Sequence, residues 1–382
     1  VELSVAKNLL VQAASLAKIT VSTLSQHTDS LDHSLLRLSS DSIRLTSTND
    51  SIGSDINISL LKHVPELLDD TLSIWVKPGL LLDLVSNYES DDFNFIVDTR
   101  KSFIATTIGS AKLHTPIRSN LDWPEIDPRF IHATPTQAIH GSLLKELISF
   151  NKIFLSGGHD PSKNLVEIRS SMGISTDRIK FGFFQNDELE GLEVKLPGDQ
   201  LASLESSLVY LPNDLLIGSS DAYTLLSGES AGLSVILGIV KTARLLGPGL
   251  DEVPAFEESE QYSVNRIDLM KMLNTLSSVS IKVDPRVKIS VTSDQLKLTV
   301  SNELSQESTD IMMISRTRGD LGTPVTIIVP QASLAKALKA ASSENVLLSM
   351  EAKSPKYLKM SEDRGHAKTY CIFQSLSKLR AQ

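Results

Sequence analysis

The chain has 382 residues and a formal net charge of −9, with 41% hydrophobic and 22% charged side chains, which fits a water-soluble globular protein of two or three domains. Its single cysteine, Cys371, excludes an intrachain disulfide and an all-cysteine metal site, and no run of 18 apolar residues is present to span a bilayer. The charge is uneven: residues 1–128 carry 10 basic and 17 acidic side chains, residues 129–258 repeat those counts, and residues 259–382 carry 17 basic and 12 acidic. A net-negative chain argues against sequence-blind adhesion to nucleic acid by its whole surface, but the last third is electrostatically different.

In chain order, VELSVAKNLLVQAASLAK opens with a short strand, LSV. An amphipathic helix follows, with Leu9, Leu10, Ala13, Ala14 and Ala17 on one side, and the stretch does not read as a signal peptide. HSLLRLSS and SIRLTSTN pair as strands around a Ser-Asp turn; SDINISLL and TLSIWVKP are further strands. GLLLDLVSNY is a helix with Gly79 at its start, and FNFIVDT, KSFIATTIG and KLHTPI are strands. The middle of the chain predicts helices over AIHGSLLKELISF (138–150) and PGDQLASLESSLVYL (197–211). Strands are predicted at NLVEIRSS, RIKFGFF, DLLIGSS, AYTLLSG and LSVILGI, with loops at GGHDPSKN and NDELEG. Next comes a helix, NRIDLMKMLNTLSS, with Asn265 as its N-cap. VKISVTS pairs with QLKLTVSN, and DIMMIS and VTIIVP are strands. QASLAKALKAASSE is a helix starting after Pro330, and NVLLSME, KYLKMS and KTYCIFQSL end the pattern.

Two landmarks set a period. SIRLTSTN at 42–49 and QLKLTVSN at 295–302 lie 253 residues apart, and the second helices near 79 and 331 lie 252 apart. Half that spacing places a middle second helix near 205, inside PGDQLASLESSLVYL. The expected organisation is three tandem α+β domains, 1–128, 129–256 (the most divergent) and 257–382. The linkers are RSNLDWPEIDPR (118–129) and GPGLDEVPAFEESE (247–260), rich in proline and acidic residues. Each domain would pack two helices on one face of a mostly antiparallel sheet. Units of this kind join sheet edges in series, and a curved series tends to close as an oligomer.

Enzyme signals are sparse. GESAG at 228–232 matches the G-x-S-x-G nucleophile pattern with Ser230, but a strand, LSVILGI, follows where a helix is required, so a hairpin turn is expected. The only histidine after Ser230 is His366. No phosphate-binding or dinucleotide fingerprint occurs, and the eight histidines show no ligand spacing, so no metal or cofactor is expected. Asp69-Asp70 and Asp91-Asp92 read as solvated turns.

Over its whole length the chain resembles the bacterial-type DNA polymerase sliding clamps, the beta subunit of the replicative polymerase. The resemblance is carried in the first third by LLRLSSDSIRLTSTNDSIGSDINISL, LLLDLVSNYESDDFNFIVDTRKSFIATT and LDWPEI. The last third adds LMKMLNTLSSVSIKVDPRVKISVTSDQLKLTVSN, SSENVLLSME and TYCIFQSLSKL. It implies a non-catalytic protein whose two copies form a ring around duplex DNA, helices inside, tethering the polymerase as a processivity factor in the cytoplasm of a bacterium, or of its host if phage-encoded. Implied partners are duplex DNA, a second copy of the chain, the DNA polymerase, the clamp loader and short peptide motifs of replication and repair proteins, with no membrane. DNA-facing candidates are Lys7, Lys18, Arg100 (beside Lys101), Lys145, Lys152, Arg266, Lys271, Lys336 and Lys339; the second helices around Asp83 and Glu205 lack such cations. The family's partner-peptide pocket maps by position onto Leu155, Thr176, Arg178, Ile179, Pro254, Cys371, Phe373 and Leu376. The usual Gly-His-Arg is Thr176-Asp177-Arg178 here, and the usual Met-Pro-Met is Phe373-Gln374-Ser375, which puts peptide specificity in doubt and suits a divergent clamp. The competing expectation is a scaffold or peptide-binding protein that keeps the fold without the DNA role.

Overall fold

The computed structural model describes residues 1–21, 32–49, 51–67, 71–118, 135–155, 164–177, 179–220, 223–240, 258–280, 282, 284–302, 306–319, 324–352 and 355–376. The first third gives β1 (Glu2–Ala6), α1 (Lys7–Thr20), β2 (Ser34–Leu38), β3 (Ser42–Thr48), β4 (Ile52–Ser59), β5 (Leu72–Val76), α2 (Pro78–Ser86), β6 (Asp92–Asp98), β7 (Phe103–Ile108) and β8 (Ala111–Arg118). The middle gives β9 (Gln137–His140), α3 (Gly141–Asn151), β10 (Leu165–Arg169), β11 (Met172–Thr176), β12 (Lys180–Gln185), β13 (Val194–Pro197), α4 (Leu201–Ser207), β14 (Asp214–Ser219), β15 (Tyr223–Ser230) and β16 (Leu233–Val240). The last third gives β17 (Glu260–Asn265), α5 (Arg266–Ser277), β18 (Arg286–Val291), β19 (Gln295–Ser301), β20 (Glu307–Met313), β21 (Ser315–Arg318), β22 (Val325–Pro330), α6 (Gln331–Ala340), β23 (Asn345–Met350), β24 (Tyr357–Asp363) and β25 (Lys368–Gln374). Among the described residues, one order recurs three times: strand, helix, three-strand meander, strand, helix, three-strand meander. β21 is the addition in the last round.

The chain forms two compact units, residues 1–145 with 200–243 and residues 146–199 with 244–382. In the first, twelve strands form an antiparallel sheet in the order β1-β6-β7-β8-β5-β2-β3-β4-β16-β15-β14-β9. Helix α1 packs on β3 and β4 and touches α2 and α4. It does so through Leu10, Ala13, Ala14, Leu16 and Ala17, all buried, at the spacing that puts them on one helical face. The Thr20 hydroxyl ends the helix 2.8 Å from that of Ser54 on β4.

In the second unit, nine strands run β13-β10-β11-β12-β25-β24-β23-β17-β21 and four more run β20-β19-β18-β22. Helices α5 and α6 touch each other, α5 on β19 and β20 and α6 on β18 and β22. Asn265 caps α5 as its sequence position predicts, its Oδ1 accepting from the Ile267 and Asp268 amides at 3.0 and 3.1 Å. On β11, the Ser175 hydroxyl donates to the Asn151 side chain of α3 at 2.8 Å.

The middle of the chain departs most from the sequence expectations. Residues 137–140 form strand β9 and the helix begins only at Gly141, while the second helix shrinks to Leu201–Ser207. Strands β11, β13, β17 and β21 lie where no strand is expected. MGIST hides its strand behind Gly173, whose missing Cβ makes room for Leu147: a Cβ there would lie 2.9 Å from that side chain. Gly182 on β12 is tighter still, because a Cβ would fall 2.2 Å from the Phe154 ring. Gly182→Ala is therefore expected to cost about 1–3 kcal/mol by overpacking, read as a lowered urea midpoint.

Candidate nucleic-acid interface and partner pocket

The cations predicted to face DNA divide by what their side chains do. In the first unit Lys18 is exposed on the last turn of α1, Lys145 is exposed on α3, and Arg100 and Lys101 are exposed in the turn after β6. Lys7 is held: its ammonium donates to the Tyr88 carbonyl. In the second unit Lys152 opens a 3-10 turn, Lys152–Phe154, that touches α6, and α6 touches α5. Lys152, Lys271, Lys336 and Lys339 are exposed on these contiguous helical segments. Lys271 lies 3.3 Å from Asp268 of its own helix, a solvent-screened pair. Lys336 and Lys339, three residues apart, stand on a helix that carries no acidic residue.

Arg266 is a different kind of residue. Its Nε donates to the Ser343 carbonyl at 2.8 Å and Nη1 to the Leu338 carbonyl at 3.4 Å. The guanidinium meets the Leu338 carbonyl in the last turn of α6, where the helix dipole also favours a cation, and the Ser343 carbonyl just past the helix end. Its first task is to join α5 to α6, which its place in the sequence did not reveal.

Of the pocket positions, Arg178 and Pro254 lie outside the described residues; the other six belong to the second unit. β12 and β25 pair antiparallel, Lys180 opposite Phe373 and Gly182 opposite Cys371. Gly182 faces Phe154, so strand alternation places Cys371 and Phe373 on that same, helix-covered face, where both are buried. Burial in turn pushes the Cys371 thiol far above its ordinary range. Thr176 stands opposite Phe181 on the other face, with its hydroxyl donating to the Lys180 carbonyl at 2.9 Å. What remains accessible is a rim. Leu155 is half-buried behind Phe154, and Ile179 is 43% exposed with its carbonyl accepting from Gln374 N–H at 2.8 Å. Leu376 is half-buried, and its N–H donates to the Ile328 carbonyl at 2.8 Å. The set therefore does not line one wall: Cys371 and Phe373 are core, and Leu155, Ile179 and Leu376 supply apolar surface. Lys180, which donates to the Ile153 carbonyl at 3.0 Å, ties the two sides and was not anticipated.

Ser230 ends β15 and Leu233 begins β16, with Gly232 at φ +79° in a two-residue turn. This is a hairpin, as the sequence predicted, and lacks the strand-turn-helix frame a nucleophile elbow requires. Among the described residues no group of three or more His, Cys, Asp or Glu side chains is placed to hold a metal ion, and no helix is long and apolar enough to cross a membrane.

The strand edges carry a second pattern. β4, the last strand of its meander, pairs with β16 over seven residue pairs, and β12, in the same place in the next round, pairs with β25 over six. β16 and β25 each end a round; β8 ends the first and β20 holds the place of β4 and β12 in the last. Among the described residues β20 pairs only with β19, and β8 beyond its β7 partner pairs only at Ile117 and Arg118 with β5. Ile311 and Met313 on β20 are 53% and 65% exposed.

No protein-family model and no curated protein sequence matches the chain. Solved structures do match it over their full length. The beta subunit of DNA polymerase III from Pseudomonas aeruginosa superimposes with a TM-score of 0.79 at 13% identity, covering 98% of this chain and 100% of that one. The corresponding subunit from Thermotoga maritima gives 0.80 at 12%, covering 99% of each. A sliding clamp from Bartonella birtlesii, bound to griselimycin, gives 0.77 at 16%, again covering 99% of each. The chain has the sliding-clamp fold. At these identities the likeness is one of backbone architecture, and side-chain roles in this clamp-fold chain rest on the geometry above.

The assignment of Arg266 has a direct check. Arg266→Ala is expected to lower stability by about 1.5–3 kcal/mol, the range for hydrogen bonds from a charged donor. Lys271→Ala, at an exposed position, is expected to stay within about 0.5 kcal/mol of the unsubstituted chain. Urea denaturation of the two variants reads the difference.

Proposed function

We propose that the chain is a non-catalytic DNA sliding clamp: two copies close into a ring of six modules around duplex DNA and tether a replicative polymerase. The observation that carries this reading is the edge pattern, with β20 and β8 as the two strands left over from a rule used twice within the chain. A second copy supplies each with its missing partner, and head-to-tail pairing in both directions closes the ring. The modules would be residues 1–128, 129–256 and 257–382. Charge supports the match, since Glu307 of β20 would share a face with Lys112 and His114 of β8.

The phase of that pairing follows from the ladders within the chain. Ile58, Phe184 and Met312 hold the same place in their meanders; Ile58 faces Leu233, which closes the β15–β16 turn. Phe184 faces Thr369, two residues past the turn-closing Ala367. Carried over, Met312 faces Ala111 or Leu113 of the second copy, so Leu113 stands opposite Asp310 or Met312, and Ile311 falls on the other face.

DNA held by topology needs only weak, sequence-blind attraction. Exposed Lys18, Lys145, Lys152, Lys271, Lys336 and Lys339 supply phosphate contacts that position the duplex without reading it. A tethered polymerase rebinds at high effective concentration. The apolar rim of Leu155, Ile179 and Leu376 is the proposed seat for short peptides of the polymerase, the clamp loader and repair proteins, in the cytoplasm of a bacterium or of a phage's host. The test is retention on circular DNA after assembly with a loader. The chain is expected to stay on circles and to leave when the circle is cut, and departure at equal rates from both would support a scaffold without the DNA role. Lys336→Ala with Lys339→Ala is expected to flatten the log–log salt dependence of duplex affinity by about 1.8, at roughly 0.9 per lost phosphate contact.

A further inference from the structure

Four side chains gather in the second unit at a point the DNA and peptide readings leave unused. Glu146 lies on α3; Glu362, Arg364 and His366 lie on β24 and the turn into β25. Arg364 is buried at their centre. It donates to Glu146, through Nε to Glu362 at 2.5 Å, and through Nη2 to the Ala340 carbonyl at the end of α6 at 2.8 Å. Glu362 also accepts from the Ser342 and Ser343 amides at 2.9 Å each and from the Thr369 hydroxyl at 3.0 Å. His366 reaches the second oxygen of Glu146 through Nε2 at 2.9 Å, and its carbonyl accepts from Asn186 Nδ2 at 2.8 Å. One carboxylate on α3 is thus held by a buried guanidinium on one oxygen and a solvent-facing imidazole on the other.

We propose that the Glu146–His366 contact is a proton-controlled latch between α3 and the β24–β25 turn, closed when His366 is charged and released when it is neutral. The Arg364 guanidinium keeps its charge at every accessible pH, so while Glu146 is ionised its arm holds and the histidine arm alone responds. The charged groups around the imidazole are Glu146 from α3, Asp187 from beside β12 and, on its own hairpin, Asp363, Arg364 and Lys368. The hydrogen bond to Glu146, then its charge, raise His366 above its ordinary range. Burial pulls Glu146 upward, but hydrogen bonds and charges from His366 and Arg364 outweigh it and hold that carboxyl below its ordinary value. The signs agree. The histidine contributes fully below its unfolded value of 6.5 and is lost as pH rises through its raised folded value. The glutamate contributes above its unfolded 4.5 and is lost as pH falls through its lowered one. The latch is closed between those two folded-state values.

The test is a histidine proton titration by NMR with melting curves at pH 6 and pH 9. His366 is expected to titrate above 6.5 in the unsubstituted chain and to return toward it in Glu146→Gln. His366→Gln, a change at an exposed side chain that leaves the Arg364 arm intact, is expected to lower Tm at pH 6 and to match the unsubstituted chain at pH 9. A His366 midpoint at or below the ordinary value, or a Tm difference of equal size at both pH values, overturns the proposal.

Discussion

A strand edge is a row of N–H and C=O groups that needs a partner, and this architecture is organised by how those rows are satisfied. Within the chain the last strand of one meander takes the last strand of the next round, β4 with β16 and β12 with β25. Antiparallel ladders of seven and six residue pairs fix orientation as well as contact, because each strand face must meet the matching face of its neighbour. The same rule leaves β20 and β8 unmatched among the described residues, and these are the edges on which the proposed pairing of two copies rests. β20 has exposed Ile311 and Met313, large apolar side chains on an open edge that natural proteins usually blunt or cover.

The helices do different work from the sheets. Their buried faces are alanine- and leucine-rich, and their exposed faces carry most of the candidate phosphate contacts, in a chain whose net charge is −9. The net negative charge disfavours phosphate overall, and the exposed lysines on the helices are local exceptions to it. Not every cation belongs to that task. Lys7 and Arg266 spend their donors on backbone carbonyls, Arg266 at a helix end where a positive group is independently favoured. Arg364 serves a third purpose, as the buried centre of a carboxylate cluster.

Much of the fold was legible because repetition amplifies weak signals. SIRLTSTN and QLKLTVSN became β3 and β19, and Asn265 was readable as an N-cap because only a short polar side chain ahead of an apolar run serves there. What stayed hidden has physical causes. β11 contains Gly173, a poor strand former kept because Leu147 needs the space, and β13 and β21 are four-residue strands too short for alternation to register. In the pocket, Cys371 and Phe373 matched by position but follow the inward side of β25, a facing that only the pairing with Gly182 reveals. The role of Arg266 depends on carbonyls 72 and 77 residues away, and that of Arg364 on Glu146, 218 residues away, separations no local pattern encodes.

The most direct measurement is disulfide trapping across the open edges in solution. Cysteine at Leu113 paired with cysteine at Asp310 or at Met312 puts thiols on one face of the ladder, whereas Leu113 paired with Ile311 points them apart. Cys371 is buried and does not compete. The account predicts a covalent dimer from one of the first two variants and none from the third. Failure of both, or trapping through Ile311, would contradict it.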